Sequence, residues 1–261
     1  MPEGDSVHRS CAALHDALSG RALTSAELRV PSAAAADLTG REVLEVVSRG
    51  KHQLIRVEGG WTVHTHLRMD GVWRIVDADR PTPGPHFQIR ALLGNEQKQA
   101  AGLRLGIVEL VRTDHEDAVV GHLGPDLLGS DWDPELAVSN LLREPRRTIG
   151  EALLDQRNLA GIGTIYRAET LYAERTNPRT PVAEVRDLRA VVNRAQSLLE
   201  ASKVRRGPTA SNRDGRWVYD RAGKPCPRCR TRIRCEEYGQ TTQERLGGWC
   251  PRCQPLDQDA G

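Results

Sequence analysis

The stretch LLDQRNLAGIGTIYRAE, residues 153–169, joins two apolar helical patterns through a turn that contains Gly161 and Gly163. This pattern predicts that a first helix ends at about Asn158 and that a second begins at Thr164. Backbone N–H groups at a helix start face outward and can bind a phosphate group. The two glycines also fit a tight helical hairpin that binds nothing, so this stretch alone leaves both interpretations open.

The residues before this stretch follow different patterns. Apolar residues recur at helical spacing over 4–19, and Gly20 closes that segment. From about 21 to 123 the chain has short runs such as HQLIRVEGG and GIVELVRT, which are broken by Gly, Pro and polar turns. Such runs are typical of a β-sandwich or barrel. Helical patterns follow, so we expect a domain boundary between 125 and 135.

Beyond the helices, the motif CPRC occurs twice. Its four cysteines are Cys226, Cys229, Cys250 and Cys253. Each CxxC supplies two thiolates from one tight turn, and two such turns complete a tetrahedral zinc site. A redox dithiol needs only one CxxC. We therefore predict one structural Zn²⁺ with no open position for chemistry.

Composition and charge restrict the class of protein. The chain has 261 residues, of which 38% are hydrophobic, and it contains no apolar run long enough for a membrane span and no export signal. A reducing cytoplasm is therefore the expected compartment. Between Lys203 and Arg234 lie eleven Lys and Arg residues against two Asp residues. Such a segment can be an ordinary solvated surface, but phosphate backbone is its usual partner.

The chain begins MPEGDSVHRS, which raises two interpretations. Pro2 and Glu3 fit a plain helix start, because Pro suits the first turn and an acid suits the positive end of the helix dipole. Met followed by a small residue such as Pro is usually removed, however, and removal would leave a secondary amine at Pro2. The chain would then start with a nucleophile.

Five stretches together point to a family. They are MPEG at the start, GKH at 50–52, HTHLRMDGVW at 64–73, the stretch 153–169 and the double CPRC. In this order they resemble the formamidopyrimidine-DNA glycosylase and endonuclease VIII family, on its endonuclease VIII-like branch, and the match runs from residue 2 to residue 254. The resemblance implies an α+β fold with an N-terminal β-sandwich and flanking helix, a helix-two-turn-helix domain and a zinc-finger β-hairpin.

On this basis we predict four regions. The β-sandwich catalytic domain with its N-terminal Pro helix spans 1–125, and the helix-two-turn-helix DNA-binding domain spans 132–210. The zinc finger spans 222–255, and a disordered tail spans 256–261.

The resemblance also assigns catalytic roles. It implies that Pro2 attacks C1′ of a damaged nucleoside and that Glu3 protonates the opening sugar. An α-amino group titrates near 7.7 to 8.0 and a lysine near 10.4, so more of the terminal amine is uncharged at neutral pH. Lys51 matches a hairpin lysine that contacts the phosphate beside the lesion, and Arg245 matches the zinc-finger arginine that grips a flanking phosphate.

Further DNA contacts follow from the same resemblance. Arg68, Met69 and Asp70 occupy the position from which the family fills the gap left by a flipped nucleotide, which must leave the stack before it reacts. For Met69 alone, a core position at a strand end is the alternative. In the second domain the expected contacts are Gly163, Thr164 and Glu169. Thr164 stands where the family normally has Asn, so we expect a weaker or reshaped grip on DNA there.

The predicted function is therefore a bifunctional DNA glycosylase and AP lyase of base excision repair, acting on damaged double-stranded DNA as a monomer. The start MPEGD and the short connector from Gly207 to Lys224 favour oxidised pyrimidines as substrates. An 8-oxoguanine-preferring glycosylase and an enzyme of abasic sites alone remain alternatives. A zinc-dependent damaged-DNA-binding protein without catalysis is the non-enzyme alternative. His64 and His66 share a strand face and are interpreted as structural or phosphate-adjacent, because the sequence shows no third metal ligand near them.

Overall fold

The computed structural model describes residues 2–203, 215–238 and 245–256. The chain divides into two compact units, Met1–His122 and Leu123–Gly261. Met1 lies outside the described residues, as do the part of the basic segment from 204 to 214 and all of the predicted tail except residue 256. Among the described residues, the structure has no helix with the length and apolar content that a bilayer span requires.

The first unit contains helix α1 (Gly4–Leu18), a short helix α2 (Asp117–Val120) and nine strands. The strands are β1 (Arg21–Ala22), β2 (Ser25–Leu28), β3 (Glu42–Arg49), β4 (His52–Val57), β5 (Trp61–His66), β6 (Val72–Asp77), β7 (Ile89–Gly94), β8 (Lys98–Leu103) and β9 (Ile107–Arg112). They form a five-stranded sheet in the order β1-β3-β4-β5-β9 and a four-stranded sheet in the order β2-β7-β8-β6. Neighbouring strands pair in antiparallel fashion.

One apolar core joins the two sheets and helix α1. Val7, Leu14 and Leu18 lie on one face of the helix and are buried against side chains of both sheets, such as Ile55 of β4 and Leu93 of β7. Alternation along the strands supplies the other half of this core, because successive strand residues point to opposite faces. The predicted β-sandwich with a flanking helix is confirmed.

The second unit is helical and ends in a β-hairpin. Its helices are α3 (Pro134–Leu142), α4 (Ile149–Ala152), α5 (Thr164–Ala173) and α6 (Leu188–Lys203). The hairpin strands are β10 (Arg234–Tyr238) and β11 (Arg245–Trp249). A separate core forms where Leu141, Ile149, Leu171 and Val192 pack together. Helix α5 begins at Thr164, as the sequence predicts.

The helix before the glycine turn is shorter than the sequence predicts. We expected it to end at about Asn158, but α4 ends at Ala152. The Asn158 side-chain amide donates to the Ala152 carbonyl at 2.9 Å, and the Gln156 amide donates to the Leu154 carbonyl at 2.9 Å. These amides take carbonyl groups that a longer helix would use, so the chain leaves the helix early.

Candidate active site

The N-terminal residues lie at the start of α1. Glu3 is the N-cap residue and is only 2% exposed, whereas Pro2 is half-buried. The Ser6 hydroxyl accepts a hydrogen bond from the Glu3 backbone N–H at 2.9 Å and donates to the Glu3 carbonyl at 2.8 Å. A carboxyl group is thus buried at the positive end of a helix, directly beside the residue predicted to be the nucleophile.

Helix α1 is held against the five-stranded sheet by a buried amide that the sequence analysis did not find. Gln53 of β4 is fully buried, and its Nε2 atom donates to the Ser10 hydroxyl of α1 at 3.0 Å. Its Oε1 atom accepts from the Trp73 indole at 3.0 Å and from the Thr65 hydroxyl at 3.1 Å. One side chain therefore connects α1, the helix that follows Pro2, to both sheets.

Lys51 lies in the turn between β3 and β4. Arg49 pairs with His52 in this hairpin, which leaves a loop of Gly50 and Lys51. Gly50 has φ of 59°, a left-handed conformation that glycine adopts readily. Lys51 is 8% exposed, so its side chain is held against the first unit and does not extend into solvent. Lys51 is therefore not an ordinary surface lysine whose charge is surrounded by solvent.

Histidines from neighbouring strands gather next to this turn. His52 of β4 pairs in register with His66 of β5, and the His52 Nδ1 atom lies 2.8 Å from Nε2 of His64. The His64 Nδ1 atom lies 3.0 Å from a carboxylate oxygen of Glu109 on β9. The His122 ring centroid lies 6.1 Å from that of His52. The sequence pattern singles out only His64 and His66, and His52 joins them through the register of β4 and β5.

Burial keeps His52, His64 and His66 uncharged at neutral pH. The pKa of His52 is lowered to about 3. Burial is the largest cause, and the neighbouring histidines and Arg68 add to the shift. The pKa of His66 is lowered to about 4 by burial first and then by Arg68 and Lys51. The pKa of His64 is also lowered by burial, although Glu109 opposes this. The positive charge near the turn therefore comes from Lys51 and Arg68.

Arg68, Met69 and Asp70 form an exposed turn between β5 and β6. Arg68 has φ of 55°, and its backbone N–H donates to Nδ1 of His66 at 2.9 Å. The turn closes through the Gly71 N–H and the Leu67 carbonyl at 2.9 Å. Met69 is 60% exposed, so it is not a core residue, and the alternative of a buried Met at a strand end is wrong.

In the second unit, the glycine turn before α5 is built around Gln156. Its Oε1 atom accepts from the Gly161 N–H at 3.0 Å, and its Nε2 atom donates to the Ile162 carbonyl at 3.0 Å. Gly161 has φ of 100°, which favours glycine, and Gly163 is the N-cap of α5. Thr164 is 4% exposed, which leaves little of its surface for a ligand.

Glu169 on α5 binds the backbone of residues 217–219, which lie far along the chain in the same unit. Its carboxylate oxygens accept backbone hydrogen bonds from Trp217 at 2.7 Å, Val218 at 3.0 Å and Tyr219 at 2.9 Å. Burial raises the pKa of Glu169, while these three hydrogen bonds oppose that rise. Both oxygens are engaged by the protein, which favours a structural role. The DNA contact predicted for Glu169 stays a prediction.

The four CPRC cysteines meet at one point, and their sulfur atoms all lie within 4.8 Å of one another. Cys226 and Cys253 are 3.8 Å apart, and Cys229 and Cys250 are 3.4 Å apart. Tetrahedral Zn–S bonds of about 2.3 Å require sulfur separations of roughly 3.8 Å, so the cluster fits a four-coordinate metal. The Tyr172 hydroxyl lies 3.3 Å from the Cys226 sulfur and gives the cluster a polar neighbour.

Arg245 is the first residue of β11, and its backbone pairs with Tyr238 at the end of the hairpin where the two strands are connected. The residues that connect the two strands, 239–244, lie outside the described residues. The predicted phosphate contact of Arg245 therefore rests on its sequence position alone.

Comparisons with known proteins agree with this architecture. The model for the formamidopyrimidine-DNA glycosylase N-terminal domain matches residues 1–105, and that for the H2TH domain of the same glycosylase matches residues 123–213. The chain is 50% identical over 259 residues to "Probable endonuclease 8 2" of Streptomyces coelicolor, covering 97% of this chain and 94% of that protein. It is 44% identical over 258 residues to "DNA-(apurinic or apyrimidinic site) lyase Nei2" of Mycolicibacterium smegmatis, covering 97% and 99%.

A solved structure shows the same fold. The Lactococcus lactis formamidopyrimidine-DNA glycosylase bound to DNA containing an AP site aligns with a TM-score of 0.83, at 22% identity, over 97% of this chain and all of that one.

Proposed function

Because the chain belongs to the formamidopyrimidine-DNA glycosylase family, we propose that it is a bifunctional DNA glycosylase and AP lyase of base excision repair. The observation that carries this proposal is the pairing of Pro2 with Glu3, whose carboxyl group is buried at the start of α1. A protein that only binds DNA needs neither a nucleophile nor a buried acid at its N-terminus. The names of the relatives, an endonuclease 8 and an AP lyase, support the same activity.

The chemistry follows from a free secondary amine at Pro2, which requires removal of Met1. The amine lone pair forms a bond to C1′ of the damaged nucleoside while the glycosidic bond breaks and its electrons leave with the base. The departing base takes up the proton that the Pro2 nitrogen loses. Glu3 protonates O4′ as the C1′–O4′ bond breaks and the sugar ring opens, and the nitrogen lone pair forms a cationic iminium between Pro2 and C1′. This cation withdraws electrons from C2′, so the C2′ proton is lost and the 3′ phosphate leaves by β-elimination. A second elimination then releases the 5′ phosphate.

The cations of the first unit suit the phosphate groups beside such a lesion. Lys51 is held in a tight hairpin turn, and Arg68 lies in the exposed turn after β5. His52 and His66 are uncharged at neutral pH and add no positive charge to that of Lys51 and Arg68. In the second unit, we assign phosphate contacts to Gly163 and Thr164 at the start of α5 and to Arg245 of the hairpin. Because Thr164 is almost buried, the backbone is the larger part of that contact.

We assign a structural Zn²⁺ to Cys226, Cys229, Cys250 and Cys253. Four thiolates and no open position are the ligand set of a structural zinc site, in which the metal stabilises the hairpin and performs no chemistry. We further infer that the protein acts as a monomer on damaged double-stranded DNA in a bacterial cytoplasm.

Oxidised pyrimidines are the proposed preferred lesions. The start MPEGD and relatives named endonuclease 8 support this choice over 8-oxoguanine. An enzyme that acts only on abasic sites is the second candidate, favoured by the relative named as an AP lyase.

Borohydride trapping tests the proposal. Purified protein, with loss of Met1 verified by mass spectrometry, is incubated with labelled duplexes that contain thymine glycol, 8-oxoguanine or an abasic site. We expect a covalent complex on thymine glycol that is greatly reduced by Pro2→Gly. Trapping on the abasic duplex alone would reduce the assignment to a lyase. If no duplex is trapped although the protein binds DNA, the enzyme assignment is wrong and the binding protein remains.

A further inference from the structure

Phe87 is the only phenylalanine of the chain, and it is 85% exposed. It is the middle residue of the 3₁₀ turn His86–Gln88, which precedes β7. Burial of a Phe side chain stabilises a fold, so the exposed ring of Phe87 contributes little to the stability of the first unit. An exposed aromatic side chain is ordinary when it is isolated, and the surroundings of Phe87 therefore decide its meaning.

The neighbours of Phe87 are fixed on both sides by arginines. The Arg29 guanidinium donates to the His86 carbonyl at 3.2 Å and lies 3.2 Å from Nε2 of the His86 ring. The Arg104 guanidinium donates to Oε1 of Gln88 at 2.7 Å, and its backbone N–H donates to the Gln88 carbonyl at 2.8 Å. The turn is thus held at both ends while its central ring faces solvent.

Arg104 also connects this turn to the one that carries Met69. The Nε atom of Arg104 donates to the carbonyl of Asp70 at 3.3 Å, while another nitrogen of the same guanidinium binds Gln88. Met69 is the neighbour of Asp70 and Phe87 is the neighbour of Gln88. The two most exposed large apolar side chains among the described residues are therefore linked through one guanidinium.

The two turns joined by Arg104 are rigid. Arg68 and Arg104 have φ of 55° and 49°, a conformation that costs free energy and persists only where the surrounding structure imposes it. The Gly106 N–H donates to the His66 carbonyl at 2.9 Å, and a Cβ on Gly106 would overlap the Arg68 side chain. The backbone that carries Met69 is fixed in advance, so a contact with a partner has to order only its side chain.

Charge identifies the class of partner. Arg68 and Arg104 are both exposed; Arg68 precedes Met69 in the chain, and Arg104 bonds to the turns that carry Met69 and Phe87. Arg104 bonds to neutral oxygen atoms, of Asp70 and Gln88, so its charge is not neutralised by those contacts. An aromatic ring close to exposed arginines suits single-stranded or unstacked nucleic acid, in which phosphates alternate with flat bases.

We propose that Phe87 and Met69 form a nucleobase-contacting patch in which the Phe87 ring stacks on an unstacked base of the bound DNA. The proposal rests on the proposed function, because it assumes that damaged DNA is the ligand, and it adds a base-contacting residue that the sequence analysis did not predict. Stacking requires only a flat face on the base, so the contact is insensitive to base identity. It therefore contributes to recognition of opened DNA and not of a particular lesion.

Binding to a duplex with a stable tetrahydrofuran abasic analogue tests this patch. We compare the wild type with Phe87→Ala, Phe87→Trp and the control Leu44→Ala, which removes another exposed apolar side chain of the same unit. Phe87→Ala should weaken binding by about 5- to 150-fold, the range that corresponds to loss of one base–aromatic stack. Phe87→Trp and Leu44→Ala should bind within about twofold of the wild type.

Salt dependence provides a second readout. A stacking contact releases no counterions, so Phe87→Ala should lower the affinity equally at every salt concentration and leave the slope of log K against log salt unchanged. A change of that slope by about one would mean that the variant had disturbed a phosphate contact, and stacking would be rejected.

The outcomes separate this proposal from the proposed function. If Phe87→Ala binds the abasic-analogue duplex as tightly as Leu44→Ala while the wild type is trapped by borohydride, the patch is wrong and the enzyme assignment stands. If the wild type binds no damaged duplex, both are wrong. Weak binding by Phe87→Ala, with trapping restored at saturating protein, supports the patch and the enzyme together.

Discussion

The Nδ1 atom of His52 lies 2.8 Å from the Nε2 atom of His64. A carboxylate oxygen of Glu109 lies 3.0 Å from Nδ1 of His64 and accepts a hydrogen bond from it. An uncharged His64 therefore carries its proton on Nδ1 and presents Nε2 as an acceptor. His52 then donates from Nδ1, and its own Nε2 keeps a lone pair. A carboxylate on β9 thus sets the proton positions of two histidines beside Lys51.

This cluster should make stability depend on pH. A folded-state pKa of about 3 for His52 lies below the unfolded value near 6.5, so the unfolded chain binds more protons between these values and stability falls as the pH falls through this window. His52→Asn should reduce the slope of unfolding free energy against pH by up to about 1.4 kcal/mol per pH unit. Urea unfolding at several pH values between 6.5 and 4 measures it, with His115→Asn as the exposed control. An unchanged slope in His52→Asn would contradict the prediction.

Gln53 should matter for stability far more than its polarity suggests. Gln53→Leu leaves the Trp73 indole and the hydroxyls of Ser10 and Thr65 without their partner. We expect a loss of roughly 2–4 kcal/mol, because buried polar groups that lose their partners keep the cost of desolvation. Urea unfolding measures the loss, and Gln97→Leu, at an exposed position, should lie within about 0.5 kcal/mol of the wild type. Equal stabilities of the two variants would rule out this role.

The carboxylate of Glu169 should protect the backbone of residues 217–219. Glu169→Ala removes the acceptor of three N–H groups, so hydrogen exchange at Trp217, Val218 and Tyr219 should accelerate by at least about tenfold. Glu200→Gln, at a half-exposed position of α6, serves as the control and should leave these amides protected. Unchanged exchange at these amides in Glu169→Ala would show that other contacts hold the segment.

One zinc ion should depend on the CPRC cysteines and not on the remaining cysteine of the hairpin. Cys226→Ser should lower the zinc content below one ion per chain and lower the Tm, because the closed site stabilises the hairpin. Cys235→Ser, at an exposed position outside the cluster, should retain a full ion. Mass spectrometry measures the zinc content per chain of the two variants. Equal zinc content in both would refute the assignment of ligands.

Removal of the Glu3 carboxyl group should slow base removal much more than reaction at an abasic site. Glu3→Gln preserves the shape of the side chain but cannot protonate the opening sugar, so base removal should fall by at least about 100-fold. Abasic sites already open to the aldehyde in water, so trapping on an abasic duplex should fall much less. Rates on thymine glycol and abasic duplexes, with Glu96→Gln as an exposed control, provide the comparison. A similar fall on both duplexes would show that Glu3 supports the fold of α1 and not the sugar chemistry.

Local patterns predicted much of the architecture. The apolar spacing of α1, the start of α5 at Thr164 and the gathering of four cysteines from two CxxC motifs were all predicted from residues close together in the chain. The end of α4 was not, because the side chain of Asn158 folds back onto the Ala152 carbonyl. The spacing of apolar residues along the chain carries no information about such a side-chain hydrogen bond.

Contacts between distant residues were decided by the tertiary structure alone. Antiparallel pairing brings His52 and Glu109 to the two sides of His64, and folding places Arg104 between the turns that carry Met69 and Phe87. The sequence determined which groups are available, through their spacing and chemistry. Which atoms meet depends on strand register and on the packing of turns, since hydrogen bonds reach only about 3 Å whatever the separation along the chain.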